Sequence, residues 1–331
     1  MINDYHKNCP VCGQKMIKKG KQKDGKQKWY CHRCKKYHSF SRKDLKDKAN
    51  FNMYIDYSVN GHNHEFFDMP KSTFFRNIKS FRGLKIKALP KLDDHCDYLH
   101  LDAIYKQREY CHLIAKDSKH TVAYKECKNE NAKSWGEFIK DIPAPKYVVC
   151  DGQKGLIKAI KLYWPNTIIQ ICLFHVNLTC KHKLTLHPKT TPGQELKIIA
   201  NAITKVKTME QAEEWIDTLY NFEAKYKDYI NEKTISPNKR WQYTHRRLRS
   251  CVRYLKRLHE RGQLFCFLLE DKFRLPKTNN SIEGGTNSVI RKKCRSHPGM
   301  NKENYRQLIK LVILSQSKYY NSPRLGDIFE T

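Results

Sequence analysis

Residues 98–175 hold the pattern that most restricts how this chain can fold. YLHLDAIY (98–105) alternates apolar and polar positions and is rich in strand formers. YCHLIAKD (110–117) and TVAYKECK (121–128) follow at hairpin spacing, which predicts a three-stranded antiparallel meander. A helix is expected over 131–140 with Asn131 as its cap. KYVVCDG (146–152) reads as a buried strand, QKGLIKAIKLYWP (153–165) as a helix stopped by Pro165, and IIQICLFH (168–175) as a further strand. The order β-β-β-α-β-α-β calls for a meander extended by crossover connections into one mixed sheet.

Acids occupy two special places in that sheet. Asp102 sits mid-strand among apolar residues, on the face of His100, and Asp151 ends the fourth strand. A third acid stands alone in TNNSIEGGTNSVIRKKCR (278–295): Glu283 is the one carboxylate between Asp271 and Glu303, and Arg291, Lys292, Lys293 and Arg295 follow it. Asn279 and Asn280 suit a turn and a helix start, which puts Glu283 in a first turn where the helix dipole favours a carboxylate. Gly284 and Gly285 permit close approach of another backbone. The chain has 64 Lys and Arg against 33 Asp and Glu, a formal net charge of +31. Such an excess implies a polyanionic partner, because basic residues that neutralise phosphates release counterions. Spaced carboxylates in so basic a chain suit divalent cations that activate a phosphodiester: Mg²⁺ takes a few carboxylates plus water and phosphate oxygens.

The first half-hundred residues carry a different chemistry. CPVC and CHRC stand eighteen residues apart, and C-x2-C-x18-C-x2-C is a zinc-site spacing. Cys9, Cys12, Cys31 and Cys34 are therefore expected to hold one structural Zn²⁺ in a closed tetrahedral site. The stretch between them reads as a hairpin with Lys-rich arms turning at Asp24-Gly25. The remaining nine of the thirteen cysteines are scattered, which suits a reducing compartment rather than a disulfide framework. Next, Ala49, Met53, Tyr54, Tyr57 and Val59 fit a helix ending near Asn60-Gly61. From Pro70, a second helix would place Ser72, Thr73, Arg76, Asn77 and Lys79 on one face and Phe74, Phe75, Ile78 and Phe81 on the other. This pair suits a helix-turn-helix. Residues 176–276 show helical spacing and no clear strand. Residues 239–261 hold nine Lys and Arg and one Glu. Contacts to double-stranded DNA are expected from Lys26, Lys28, Arg76, Lys79, Arg246, Arg249, Arg253, Arg291 and Lys292. No run of about 18 apolar residues, no secretory h-region in MINDYHKNCP and no phosphate-loop signature is found. A membrane span, a secretory signal and a nucleotide cofactor are accordingly not expected.

LHLDAIY, VVCDGQKGL, ICLFH and NNSIEGGTNSVIR together resemble Mutator-like bacterial insertion-sequence transposases with an Asp-Asp-Glu triad, over about residues 98–315. The resemblance implies an α/β fold: an RNase-H-like mixed sheet interrupted by an all-helical insertion, behind an N-terminal zinc ribbon and helix-turn-helix. The expected divisions are 1–42 (zinc ribbon), 43–92 (helix-turn-helix-like), 93–175 (first part of the catalytic core), 176–276 (insertion) and 277–331 (final helical part). The implied triad is Asp102, Asp151 and Glu283, holding two Mg²⁺ or Mn²⁺ ions. Cys172 and His175 match the family's C-x2-H pair and could order the active site through hydrogen bonds or join a second zinc. The implied activity is binding of terminal inverted repeats, metal-dependent strand cleavage and 3′-OH strand transfer. It would be carried out by a homo-oligomer, a dimer on DNA, in the nucleoid-associated cytoplasm of a prokaryote. Two alternatives stay open at this point, a transposase-derived regulator without catalysis and an RNase-H-like structure-selective nuclease.

Overall fold

The structure, a computed structural model, describes residues 8–23, 25–40, 42–89, 92, 96–106, 109–235, 237, 240–269, 275–318 and 320. The chain divides into two units, Met1–Ala88 with Val289–Thr331, and Leu89–Ser288. Asp24, proposed for the hairpin turn, lies outside the described residues, and so does the side chain of Glu283.

The first unit opens with β1 (Ile17–Lys21), β2 (Gln27–Cys31) and β3 (Lys36–His38), an antiparallel sheet in that order. Its apolar centre is small: Cys9, Met16 and Cys31 are buried, with Cys12, Trp29, Cys34 and Phe40 packed around them. A core of this size does not stabilise a fold by burial alone, so such modules need a cross-link or a metal. α1 (Arg42–Ile55) runs on into a π-helical turn at Asp56–Asn60 and stops at Gly61, whose φ of 75° needs no Cβ penalty. α2 (Lys71–Ile78) buries Phe74 and Ile78 and exposes Arg76, with Lys79 exposed just beyond it.

In the second unit the meander forms as the alternation requires. β4 (Tyr98–Lys106), β5 (Tyr110–Lys116) and β6 (Thr121–Cys127) pair antiparallel. α3 (Ala132–Ile139) is capped by Asn131, whose Oδ1 accepts from Ser134 N at 2.9 Å. It leads to β7 (Tyr147–Cys150), then α4 (Lys154–Tyr163), then β8 (Ile168–Ile171). β7 pairs parallel with β4 and with β8, giving the order β6-β5-β4-β7-β8. β8 ends at Ile171, not at His175. Cys172 is the N-cap of α5 (Leu173–Leu184), so Leu173–His175 are helical. A short apolar run reads the same in a strand and in a buried helix start, which is why spacing could not separate them.

Helices α6 (Thr191–Ala202), α7 (Met209–Lys225) and α8 (Lys227–Asn231) follow. The insertion is not all-helical: β9 (Lys233–Ile235) and β10 (Trp241–Tyr243) form an antiparallel hairpin before α9 (Arg246–Glu260). Three-residue strands are too short for an alternating signature, and this pair is held partly by Lys233 Nζ, 4.6 Å over the Trp241 ring. The main core joins one face of the sheet (Leu99, Leu101, Leu113, Val148, Cys150) to α3, α4 and the insertion helices through Trp135, Leu156, Val176 and Val252. The opposite face carries Tyr147 and Val149 against Cys266 and Leu275. By strand alternation, His100 and Asp102 belong to that second face. α10 (Ser288–Arg295) and α11 (Lys302–Ser315) end the described fold. In the first unit, Gln307 of α11 donates from Nε2 to the carbonyls of Phe81 (2.9 Å) and Leu84 (3.0 Å) and accepts from Gly83 N (3.2 Å). Among the described residues no helix is long and apolar enough to cross a membrane.

Candidate functional site

The four paired cysteines converge. One sulfur from each of Cys9, Cys12, Cys31 and Cys34 lies within 4.8 Å of all the others. Cys9 and Cys34 sulfurs are 3.8 Å apart and Cys12 and Cys31 sulfurs 3.5 Å apart. Four thiolates at about 2.3 Å from one Zn²⁺ in a tetrahedron stand roughly 3.8 Å from one another, so the cluster fits zinc. Backbone amides already point at the sulfurs, Val11 N at Cys9 and Cys34 N at Cys31, both at 3.4 Å. Such donors orient thiolates and offset their charge. His38 Nε2 stands 3.7 Å from Cys9 Sγ, outside the set of four.

Two of the three acids belong to the sheet region. The parallel register of β4 and β7 pairs Tyr98 with Tyr147, Leu99 with Val148 and His100 with Val149. The ladder ends there: Asp102 lies two residues further along β4, and Asp151 two residues past Val149, one beyond the end of β7 at Cys150. Neighbouring strands lie about 4.8 Å apart, which is the reach of a shared cation. Asp102 Oδ1 accepts from Ala103 N and Asp151 Oδ1 from Gln153 N, both at 2.9 Å. These bonds fix one oxygen of each carboxylate.

Glu283 arrives in a π-helical turn, Ser281–Asn287, that packs against β4. Three anchors hold it. Asn279, fully buried, donates from Nδ2 to Leu101 O at 3.1 Å, pairs through Oδ1 with His100 Nδ1 at 2.9 Å, and donates its backbone N–H to Cys172 Sγ at 3.1 Å. Lys116 Nζ donates to Ser281 O at 3.0 Å. Asn287 Nδ2 donates to Asp102 Oδ2 at 2.8 Å. Glu283 stands four residues before Asn287 in this turn. Gly284 answers to crowding: a Cβ there would lie 2.6 Å from Asn280 Oδ1.

Burial depresses the His100 pKa to about 4, so its ring is neutral at pH 7. Asn279 presents its oxygen to that ring, since its NH₂ faces Leu101 O, and Nδ1 of His100 is therefore the protonated nitrogen. Burial also lowers the Lys116 pKa, and its Nζ donates to the turn. The Oδ1 of Asn287 is buried and has no hydrogen-bond partner among the described residues. An orphaned buried acceptor costs about 1–3 kcal/mol.

Cys172 thus touches the segment that leads to Glu283, whereas the ring neighbour of His175 is Phe174 at 5.9 Å. No second cysteine–histidine cluster gathers among the described residues. Asn287 and Lys116 carry no sequence signal of their own. Asn287 was open to the argument that one turn after Glu283 lies the same face, but Lys116 needed the sheet pairing. Glu130 was also missed. Burial, and less so the Asp151 charge, hold its carboxyl above the usual range against the hydrogen bond from Trp135 Nε1 at 3.1 Å.

The basic residues expected on DNA are mostly at the surface. Lys26, Arg76, Lys79, Arg246, Arg253, Arg291 and Lys292 are exposed and Lys28 is half-buried. Arg249 is engaged within the protein, its guanidinium 3.9 Å over the Tyr243 ring and hydrogen-bonded to Asn231 Oδ1. A cavity of about 420 Å³ at the start of α9 is lined by Lys189, His245, Arg246 and Arg247, with no carboxylate. It suits an anion rather than metal-assisted chemistry.

Residues 112–248, 137 of 331, match the family described as transposase, Mutator family. Over 132 residues the chain is 24% identical to a probable transposase for insertion sequence element from Corynebacterium diphtheriae, covering 35% of this chain and 38% of that protein. Over 118 residues it is 30% identical to the transposase for insertion sequence element IS6120 from Mycolicibacterium smegmatis, covering 32% and 36%. The chain is similar to Mutator-family insertion-sequence transposases. The aligned part spans little more than a third of the length of these curated relatives. The Mutator-like stretch contains Asp151, Cys172 and His175, begins after Asp102 and ends before Glu283. Its first strand, β5, pairs Ile114 with Asp102. The sheet thus ties the first acid to the region that matches the Mutator family.

Proposed function

We propose that the chain is a DNA transposase that cleaves the ends of an insertion sequence and joins the liberated 3′-OH to target DNA. One observation supports the reading most: Asp102 and Asp151 each stand two residues past His100 and Val149, the last pair of the parallel β4–β7 ladder, and Asn287 of the turn bearing Glu283 donates to Asp102. The sheet order and the similarity to Mutator-family transposases support an RNase-H-like catalytic core.

Asp102, Asp151 and Glu283 would hold two Mg²⁺ or Mn²⁺ ions. The donor set fits hard cations: it is all oxygen, and the buried Asn287 Oδ1 beside it has no hydrogen-bond partner among the described residues. Bound there, the ions supply Lewis acidity and a more acidic water. The protein's own residues position that chemistry. Asn287 and Ala103 N orient Asp102, Gln153 N orients Asp151, and Asn279 with Lys116 fixes the turn of Glu283. Neutral His100 keeps Asn279 in place without adding charge. The zinc ribbon and α1–α2, read as a helix-turn-helix, would bind the terminal repeats. The exposed arginines of α9 and α10 would lie along phosphates, and a dimer would hold two ends together.

The test is strand cleavage of end-containing DNA by Asp151→Asn and Glu283→Gln proteins. Cleavage is expected to fall more than roughly 100-fold, beyond what loss of an outer-shell hydrogen bond costs, with DNA binding retained. Cleavage at wild-type rates by either variant overturns the assignment.

A further inference from the structure

We infer that Asn287 is itself a ligand of the divalent-cation site, its side-chain carbonyl bound alongside the Asp102 carboxylate that its amide orients. The inference rests on the reading of Asp102, Asp151 and Glu283 given above. It starts from a contrast between two buried asparagines. Asn279 uses its amide nitrogen, its amide oxygen and its backbone N–H on Leu101, His100 and Cys172. Asn287, 2% exposed, uses only Nδ2, and its Oδ1 has no hydrogen-bond partner among the described residues.

The orientation of the Asn287 amide is fixed by chemistry. An ionised Asp102 only accepts, so the NH₂ must face it and the carbonyl is left over. A leucine of similar volume would remove the unmet acceptor. An amide kept here makes sense if something outside the chain meets the oxygen. Side-chain carbonyls are ordinary ligands for hard divalent cations, and a neutral one adds a donor atom without another negative charge beside Asp102. The winding of the turn serves the same end. Lys116 ties its start at Ser281, Asn287 ties its finish to Asp102, and π-helical winding between them often marks functional sites.

The experiment uses the full chain with its cysteine site zinc-loaded and measures Mn²⁺ binding by the electron paramagnetic resonance signal of the free ion. The proteins are wild type, Asn287→Leu, Asn287→Asp and Asp151→Asn, with circular dichroism to check folding. Asn287→Leu is expected to weaken Mn²⁺ binding by more than about 100-fold, since loss of an outer-shell partner costs about 10- to 100-fold; a loss confined to that smaller range makes Asn287 only an orienting residue and overturns the inference. Asn287→Asp is expected to bind at least as tightly as wild type. If Asn287→Leu binds Mn²⁺ like wild type while Asp151→Asn loses it, Asn287 is no ligand and the acid site stands. If wild type binds no Mn²⁺, or Asp151→Asn binds as tightly as wild type, the acid site fails and the inference with it. Should Asn287→Leu not fold, Asn287→Asp decides alone: weaker Mn²⁺ binding than wild type overturns the inference.

Discussion

The four thiols of Cys9, Cys12, Cys31 and Cys34 come from 26 consecutive residues, whereas Asp102, Asp151 and Glu283 are drawn from a span of 182. The difference is one of construction. The thiol cluster has few buried neighbours and four donors within 4.8 Å, so its geometry and its fold are the same thing. The proposed acid site stands on a sheet with a large apolar core. The proposed site would draw Asp102 and Asp151 from the β4–β7 region, and hydrogen bonds from residues 165 to 185 positions away hold the third segment. A site of the first kind is closed and structural. A site of the second kind leaves oxygen atoms for substrate, and it can be disturbed without unfolding its platform.

Metal removal should break the two regions apart most strongly. Structural zinc contributes apparent binding energies of about 10–16 kcal/mol in small modules, most of which is folding energy. Cys31→Ser is therefore expected to lose zinc and to unfold the β1–β3 ribbon while the five-stranded sheet melts as before. Metal content by mass spectrometry, with hydrogen exchange of residues 17–38 against residues 98–171, reads both halves at once. Intact protection of the ribbon without zinc would show that its small core suffices, and the contrast in construction would be gone.

The same difference governs what the sequence made legible. The meander, β7 and the two crossover helices were readable to within a few residues, because alternation and capping are local: Asn131 does cap α3 through Ser134 N. The thiol site was readable from spacing, since two residues between cysteines dictate a turn. The buried face of α2 was readable for the same reason, in Phe74 and Ile78. What stayed hidden depends on partners far along the chain. The end of β8 is set at Cys172, whose backbone N–H reaches Cys150 O and whose sulfur receives Asn279 N–H. The β9–β10 hairpin leans on a cation over a ring. Lys116 is a buried cation whose reason for being there is a carbonyl 165 residues later. No local pattern encodes such a pairing.

Proton uptake offers a middle-sized test of how independent the acid site's platform is. The sign follows from burial. His100 has an ordinary pKa of 6.5 and is held at about 4 in the folded chain. As pH falls below about 6.5 the unfolded chain gains a proton that the folded chain refuses, so this group's contribution to stability is lost between about 6.5 and about 4. Linkage puts the total at roughly 3 kcal/mol. Urea unfolding of the 89–288 unit at pH 7 and at pH 4.5 should show a steeper loss for wild type than for His100→Asn. Equal slopes would mean that His100 is not protected from protonation, and the Asn279 anchor would then lack its neutral partner.

The smallest expected change in stability sharpens the comparison furthest. Lys116→Met keeps an apolar stem of similar length and removes the ammonium that meets Ser281 O. The net loss of one such hydrogen bond is about 1 kcal/mol, because the buried charge that was also costly to desolvate disappears with it. In a unit of about 200 residues that is a shift of roughly 2–4 °C in Tm. The turn of Glu283, however, loses one of its three anchors, and displacement of a reacting group by about 1 Å can cost up to 100-fold in rate. Strand cleavage is therefore expected to fall by about 10- to 100-fold while the sheet melts nearly as in wild type. If cleavage is unchanged, Asn279 and Asn287 hold the turn by themselves and Lys116 serves the fold alone. If the sheet melts far lower, the acid site is as bound up with its fold as the thiol site is with the ribbon.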